Sequence, residues 1–129
     1  MVSGIEHLAS ASYDTAALKD WYMKVFGGKV VYDNGKGTYF LQFADGSMIE
    51  FVTASADKVA DVERTAGIRH IAFSVTPKAF DEIVPMLKAD ERIEEVHDVT
   101  ESATGIKTYW FRDIEGNFAH LIYRPDPLI

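Results

Sequence analysis

The sequence predicts an α+β fold in which two tandem β-α-β-β-β modules form a curved mixed sheet around a central cleft. An internal repeat is the first observation, because segment 4–9 reads GIEHLA and segment 67–72 reads GIRHIA. The second is a further match, since 38–41 reads TYFL and 108–111 reads TYWF. The offsets are 63 and 70 residues, and the matches occur in the same order along the chain. Collinear matches of this kind are typical of a duplicated unit.

We therefore expect one domain made of modules 4–53 and 67–125, with residues 54–66 as a polar linker that includes a helical turn. A chain of 129 residues with 47% hydrophobic residues is long enough to bury a core of its own. The acidic residues exceed the basic ones by 20 to 13, which gives a net charge of −7. This charge disfavours nucleic acid or an anionic membrane as a partner.

The absence of cysteine narrows the chemistry further. It excludes disulfides, thiolate nucleophiles, cysteine-based zinc sites and iron–sulfur clusters, so that any metal must be held by His, Asp or Glu. The N-terminal residues lack the basic and apolar regions of an export signal, and no apolar run is long enough to span a bilayer. We expect a cytoplasmic protein.

The first module begins with a predicted strand at 5–10. A helix follows, with Asp14 as its N-cap and Gly27-Gly28 as its end. Its apolar stripe consists of Ala17, Leu18, Trp21, Tyr22, Val25 and Phe26. Three strands then complete the module at 29–32, 38–43 and 47–52. Asp33-Asn34-Gly35 and Ala44-Asp45-Gly46 predict the turns between them.

The second module repeats this order, beginning with a strand at 68–75. Thr76-Pro77 opens the helix, because proline is favoured at the first helical position. Pro85 lies inside the apolar stripe and lacks a backbone donor, which predicts a kink or an early end of the helix. The remaining strands are predicted at 93–99, 107–112 and 118–123.

Four ligand-type side chains interrupt the apolar faces of the predicted strands: His7, Glu50, His70 and His120. A single strand histidine is more often a core residue than a metal ligand. Here, however, His7 and His70 occupy equivalent positions, as do Glu50 and His120, and a pseudo-twofold would bring all four together. Three imidazoles and one carboxylate suit Zn, Ni, Fe, Co or Mn, and suit Ca or Mg poorly.

Other polar residues are weaker candidates. We expect His97 to be exposed, and Arg69 to lie on the strand face opposite His70 because side chains alternate. Arg69 and Arg112 could each reach an anion, although the expected alternation directs Arg69 away from His70. Packing explains Tyr22, Tyr39 and Tyr109 more simply than contact with a substrate does.

Three segments resemble the vicinal-oxygen-chelate superfamily, which includes glyoxalase I, fosfomycin-resistance proteins, extradiol dioxygenases and bleomycin-resistance proteins. Ile5-Glu6-His7-Leu8-Ala9 resembles its first strand, and residues 14–22 through Phe26-Gly27 resemble its first helix. The most recognisable segment is 109–117, YWFRDIEGN, which is similar to the turn into its last strand.

The resemblance implies a divalent metal ion held by His7, Glu50, His70 and His120, closest to glyoxalase I-like members. Those members usually carry a glutamate at the last position, where this chain has His120. A divalent site with one carboxylate would have a net charge of about +1 and act as a stronger Lewis acid. Acid–base work would then fall on Glu50 or on a metal-bound hydroxide.

The function implied is that of a metal-dependent lyase or isomerase acting on a small oxygenated substrate through a metal-stabilised enolate- or alkoxide-like intermediate. A dioxygenase is one alternative, and a metal-free protein that sequesters an antibiotic, as in bleomycin resistance, is another. Family members often form homodimers that share metal ligands, so the four residues could belong to one chain or to two.

Overall fold

The computed structural model describes residues 1–59 and 62–128, without the side chain of Val62. The elements are β1 (His7–Ser12), α1 (Thr15–Phe26), β2 (Lys29–Asp33), β3 (Tyr39–Gln42), β4 (Met48–Thr53), a 3₁₀ turn (Val62–Arg64), β5 (Ile71–Ser74), α2 (Pro77–Ala89), β6 (Glu94–Glu101), β7 (Lys107–Arg112) and β8 (Phe118–Tyr123). This order confirms the α+β class and the doubled β-α-β-β-β arrangement. The 3₁₀ turn lies in the expected linker, of which residues 60 and 61 are outside the described residues.

The strands form two four-stranded mixed sheets with the same topology. Their orders are β1-β4-β3-β2 and β5-β8-β7-β6, and in each sheet the first and last strands of the module pair in parallel. The chain divides into two compact units, Met1–Asp57 (unit 1) and Lys58–Ile129 (unit 2). Each unit thus contains one sheet and one helix.

The strand register reproduces the sequence repeat residue by residue. Glu50 lies beside Ala9 in the parallel pair of unit 1, and His120 lies beside Ala72 in that of unit 2. On the antiparallel side, Glu50 pairs with Phe40 and His120 pairs with Trp110. Glu50 and His120 are therefore structurally equivalent within their units.

Helix α1 covers one face of the first sheet. The Asp14 carboxylate accepts a hydrogen bond from the Ala17 backbone N–H at 3.0 Å, and the helix ends at Gly27, whose φ of 78° suits glycine. The buried stripe of α1 packs on the strand residues of this face, as in the contact of Tyr22 with Phe51 at 5.6 Å between ring centroids. The core of unit 1 consists of Leu18, Trp21, Tyr22, Leu41, Ile49 and Phe51.

Helix α2 begins as predicted, with the Thr76 hydroxyl accepting from the Ala79 N–H at 3.1 Å. The expected early end at Pro85 is wrong, because α2 continues to Ala89. Pro85 and Asp81 are on the exposed side of the helix, so water can satisfy the Asp81 carbonyl that proline leaves without a donor. The opposite side packs Phe80, Ile83, Val84 and Leu87 over Tyr109, Phe111, Ala119 and Leu121.

The first strand of each module starts later than predicted. β1 begins at His7 and β5 at Ile71, whereas Ile5 and Ile68 are 87% and 76% exposed. A strand extends only as far as its neighbour offers a backbone ladder, and these ladders begin at Met48 in β4 and Ala119 in β8. The apolar run in the sequence does not by itself indicate where this backbone ladder begins.

Equivalent turns connect the last two strands of each unit. The bonds Phe43 N–H to Ser47 O and Asp113 N–H to Asn117 O close the two loops at corresponding positions. Only unit 2 buries a carboxylate there, because Asp113 is 2% exposed. It accepts three hydrogen bonds, from the Glu115 and Asn117 backbone and from the Asn117 side chain, at 2.9–3.0 Å.

Replacing Asp113 with alanine should cost about 2–4 kcal/mol of unfolding free energy, because it removes a buried carboxylate and leaves partly buried N–H groups without an acceptor. Asp45→Ala is the matched control. That exposed carboxylate accepts from the Ser47 N–H and hydroxyl at 3.0 and 2.6 Å in the equivalent turn, and its loss should cost under about 1 kcal/mol. Urea unfolding measures both. Equal losses would contradict the structural role assigned to Asp113.

Candidate metal centre

The four predicted ligand residues lie on the sheet faces that the helices leave uncovered. In unit 1, alternation places Glu50 opposite the core residues Ile49 and Phe51. In unit 2, His120 likewise alternates with Ala119 and Leu121, which are fully buried beneath α2. The helix face stabilises each unit, and the uncovered face carries the candidate chemistry.

In unit 1, His7 and Glu50 lie side by side. His7 Nε2 is 3.7 Å from Glu50 Oε1, and the two side chains are 37% and 24% exposed. The other ring nitrogen, Nδ1, is 3.0 Å from Glu6 Oε1. Since a carboxylate only accepts, Nδ1–H donates to Glu6, and neutral His7 presents the lone pair of Nε2 on the side of Glu50. The Phe40 ring packs edge-on against His7 at 5.2 Å.

In unit 2, His70 and His120 lie side by side, with their ring centroids 5.1 Å apart. Trp110 stacks on His120 at 4.0 Å and contacts His70 edge-on at 4.9 Å, as Phe40 contacts His7 in unit 1. His120 is 6% exposed, and its Nδ1–H donates to the Leu121 carbonyl at 3.2 Å. The lone pair of its Nε2 is thus also available in the neutral form.

Arg69 lies on the same side as His70, so the prediction of opposite faces is wrong. Its Nη1 is 3.3 Å from His70 Nδ1, and its guanidinium lies 5.7 Å from the Trp110 ring and 5.1 Å from the Phe118 ring. Both residues precede β5, where the alternation of a strand does not apply, and the long side chain folds over the aromatic rings. Because arginine only donates, Nδ1 accepts here and Nε2 carries the proton of neutral His70.

The environment of unit 2 favours neutral imidazoles. Burial lowers the pKa of His70, and the charge of Arg69 lowers it further. Burial also lowers the pKa of His120, against the raising effect of its hydrogen bond to Leu121, while the charges of His70, Arg124 and Arg69 add to the lowering. Neutral imidazole is the form that binds metal ions.

The residues at equivalent positions in the two units differ in burial. His120 is buried, whereas His7 and Glu50 are partly exposed. Across residues 1–59 and 62–128, no three His, Asp or Glu side chains are close enough together to hold a metal ion. Each pair by itself therefore supplies two donors.

The weaker candidates behave mostly as packing residues. His97 is exposed on β6, as expected, and Tyr22 and Tyr109 are buried at 1% and 0% exposure. Burial together with the nearby Glu95 and Asp98 raises the pKa of Tyr109 far above its usual range, which suits a neutral core phenol. Tyr39 lies under the Lys19 ammonium at 4.8 Å.

Sequence reasoning missed the aromatic surroundings of the histidine pair and the contact partners of the Nδ1 atoms. The match of Phe40 with Trp110 at the offset of 70 could have predicted the aromatic surroundings, because each of these residues pairs with a candidate ligand on the neighbouring strand. Glu6 and Arg69 occupy equivalent positions in the repeat, one residue before a histidine. Their difference in charge is visible in the sequence, but their contacts are not.

Comparison with known proteins identifies the family to which the chain belongs. The sequence profile of the Glyoxalase/Bleomycin resistance protein/Dioxygenase superfamily matches residues 4–121. The chain belongs to this superfamily. A comparison with curated protein sequences found no significant match.

Solved structures share the fold at low sequence identity. A glyoxalase/dioxygenase from Nostoc punctiforme is 17% identical, with a TM-score of 0.78 over 96% of this chain and 92% of that one. A lactoylglutathione lyase from Agrobacterium tumefaciens is 22% identical, with a TM-score of 0.69 over 95% of both chains. A mutant of the fosfomycin-resistance protein FosX from Listeria monocytogenes, solved with Mn(II) and 1S,2S-dihydroxypropylphosphonic acid, is 21% identical, with a TM-score of 0.72 over 94% and 90%. These likenesses show a common fold.

Within the described part of the chain, neither helix has the length and apolar character needed to cross a membrane.

The lowered pKa values predict how His70 and His120 titrate. Their Cε1–H NMR signals should titrate with midpoints below 6.5, the ordinary histidine value. Since the unfolded chain then binds more protons, the free energy of unfolding should fall as the pH decreases below about 6.5. The His120→Gln variant lacks the His120 signal and therefore assigns it. Its free energy of unfolding should depend less steeply on pH than that of the wild type. Midpoints at or above 6.5 would contradict the assigned effect of burial.

Proposed function

We propose that the chain is a divalent-metal-dependent enzyme of glyoxalase-like type, a lyase or isomerase, acting on a small oxygenated substrate. His7, Glu50, His70 and His120 are the proposed metal ligands. The observation that carries the proposal is the placement of these four residues as equivalent pairs on the uncovered sheet faces of the two units. The Mn(II) bound by FosX, a member of the same fold, adds support.

The donor atoms fit a divalent ion such as Zn, Ni, Fe, Co or Mn. Two ligands at about 2.1 Å from one tetrahedral ion are roughly 3.4 Å apart, close to the 3.7 Å between His7 Nε2 and Glu50 Oε1. His7 and His120 each donate Nδ1–H to an oxygen, which leaves Nε2 as the ligand atom. A histidine that binds metal through one nitrogen commonly donates from the other in this way.

His70 requires one change before Nε2 can act as a ligand. Its Nδ1 accepts from Arg69, so the proton on Nε2 must leave and Arg69 must release Nδ1. Its lowered pKa keeps the ring neutral, so a single proton separates it from the tautomer that binds metal. His70 therefore fits the ligand set once Arg69 has moved.

The chemistry assigned to Glu50 is proton transfer. A bound divalent ion would supply Lewis-acid stabilisation of negative charge on a substrate oxygen. Glu50 is the one carboxylate of the four residues, and at 24% exposure it can reach a bound molecule. We assign Glu50 Oε1 or Oε2 as the atom that takes a proton from the carbon next to a carbonyl and returns it elsewhere, as an isomerase or lyase requires.

Alanine substitution at each proposed ligand should weaken binding of Zn or Mn by at least about 100-fold, since each removes a donor atom. Isothermal titration and elemental analysis of protein without an affinity tag measure this. His97→Ala is the control, because it removes an exposed histidine outside both pairs and should leave the affinity unchanged. Full metal content in His70→Ala would refute the assignment. A wild-type chain that binds no divalent metal would instead favour the metal-free sequestering protein.

The proton-transfer role predicts exchange of carbon-bound protons. In D₂O, the metal-loaded protein should accelerate loss of the methylene NMR signal of hydroxyacetone, a small molecule with vicinal oxygens. Glu50→Gln keeps an oxygen donor but cannot accept the proton, so exchange should fall by at least about 100-fold. The metal content of the variant is measured in parallel. Exchange at the wild-type rate in metal-loaded Glu50→Gln would contradict the role.

Two broader expectations stay predictions. One is a homodimer, which sedimentation or size-exclusion with light scattering would measure. The other is a cytoplasmic location. Neither changes the residues assigned above, because each ligand pair is contained in one unit.

A further inference from the structure

The two equivalent pairs, His7–Glu50 in unit 1 and His70–His120 in unit 2, have opposite local charge. In unit 1, His7 is flanked by Glu6 and Glu50. At the equivalent positions of unit 2 stand Arg69 and His120, beside His70. In a chain whose net charge is −7, the uncovered face of unit 2 is therefore locally positive. Arg124 adds to this charge near His120.

Arg69 is a cation on this face without a carboxylate partner among the described residues, and it contacts His70 directly. Arg112 also lies against Phe118, at 5.2 Å, but it forms ion pairs with Glu63 and with Glu94. For Arg69, by contrast, no carboxylate lies within 4.0 Å in the part of the chain that the structure describes. An exposed guanidinium that is not neutralised internally can accept an anion from outside.

The aromatic rings orient the guanidinium of Arg69. It lies over Trp110 and Phe118, and Phe118 is itself 8% exposed. A guanidinium carries five N–H donors in a planar fork. One donor is used by His70 Nδ1, which leaves others for an oxyanion. Paired donors of this geometry match carboxylate and phosphonate oxygens.

We infer that Arg69 binds an anionic group of the substrate, a carboxylate or a phosphonate, beside the histidine pair of unit 2. This inference rests on the proposed function, because it takes the His70–His120 pair as part of the proposed metal site. The anion binds the N–H donors of Arg69 that do not contact His70 Nδ1. The substrate class is therefore a small oxygenated acid.

The test uses the chain with a chelator present, so that no metal contributes to anion binding. The probes are methylphosphonate, acetate and neutral acetamide at constant ionic strength, observed through the indole N–H NMR signal of Trp110. We expect a saturable shift with one or both anions and none with acetamide. The tighter of the two anions identifies the group that the site recognises.

Arg69→Gln should weaken anion binding by at least about tenfold, and Arg69→Lys should retain part of it, because lysine keeps the charge without the paired donors. Arg112→Gln is the matched control, since it removes a neutralised arginine from the same Phe118 ring and should leave binding unchanged. Equal titrations of wild type and Arg69→Gln would overturn the inference, as would a wild type that shifts with acetamide alone.

The metal-binding and anion-binding measurements test the proposed function and this inference separately. Normal metal binding together with anion binding that is independent of Arg69 overturns this inference alone. If the wild type binds no divalent metal but its anion binding still depends on Arg69, the metal-dependent function is overturned. The anion site is then retained.

Discussion

The parallel pairing between the first and last strands of each module is the constraint on which the candidate site depends. It sets Glu50 beside Ala9 and His120 beside Ala72. Because strand side chains alternate, a slip of one residue would turn both ligand candidates toward the helices and expose core residues instead. The buried faces oppose such a slip, since Phe51 and Leu121, neighbours of these residues, are completely buried under α1 and α2.

The core of each unit lies on the sheet face that its helix covers. The opposite, uncovered face can therefore carry polar side chains. His120 is 6% exposed. An imidazole buried there without a hydrogen-bond partner would lower the free energy of unfolding by roughly 1–3 kcal/mol. The Leu121 carbonyl accepts from its Nδ1, and the Trp110 ring covers it, so that the remaining nitrogen keeps its lone pair. In His120 and His7 alike, Nδ1–H thus donates to an oxygen and the lone pair of Nε2 stays available.

The elements of the fold were predictable because each has a local physical signal. Asp14 and Thr76 cap their helices as expected, and β7 and β8 have the predicted bounds. The errors arise where the outcome depends on a neighbour: β5 begins where β8 offers a ladder, and α2 passes Pro85 because that side faces water. The four candidate ligands followed from the repeat, whereas the position of Arg69 did not, since alternation ends where the strand ends.

Divergence of the two modules has changed charge while preserving geometry. His7 with Phe40 and His70 with Trp110 keep the same edge-on ring contact, at 5.2 and 4.9 Å. Around this shared arrangement, Glu6 and Glu50 of unit 1 correspond to Arg69 and His120 of unit 2. The uncovered face of unit 1 thus carries two carboxylates beside its histidine, whereas that of unit 2 carries a guanidinium beside two imidazoles.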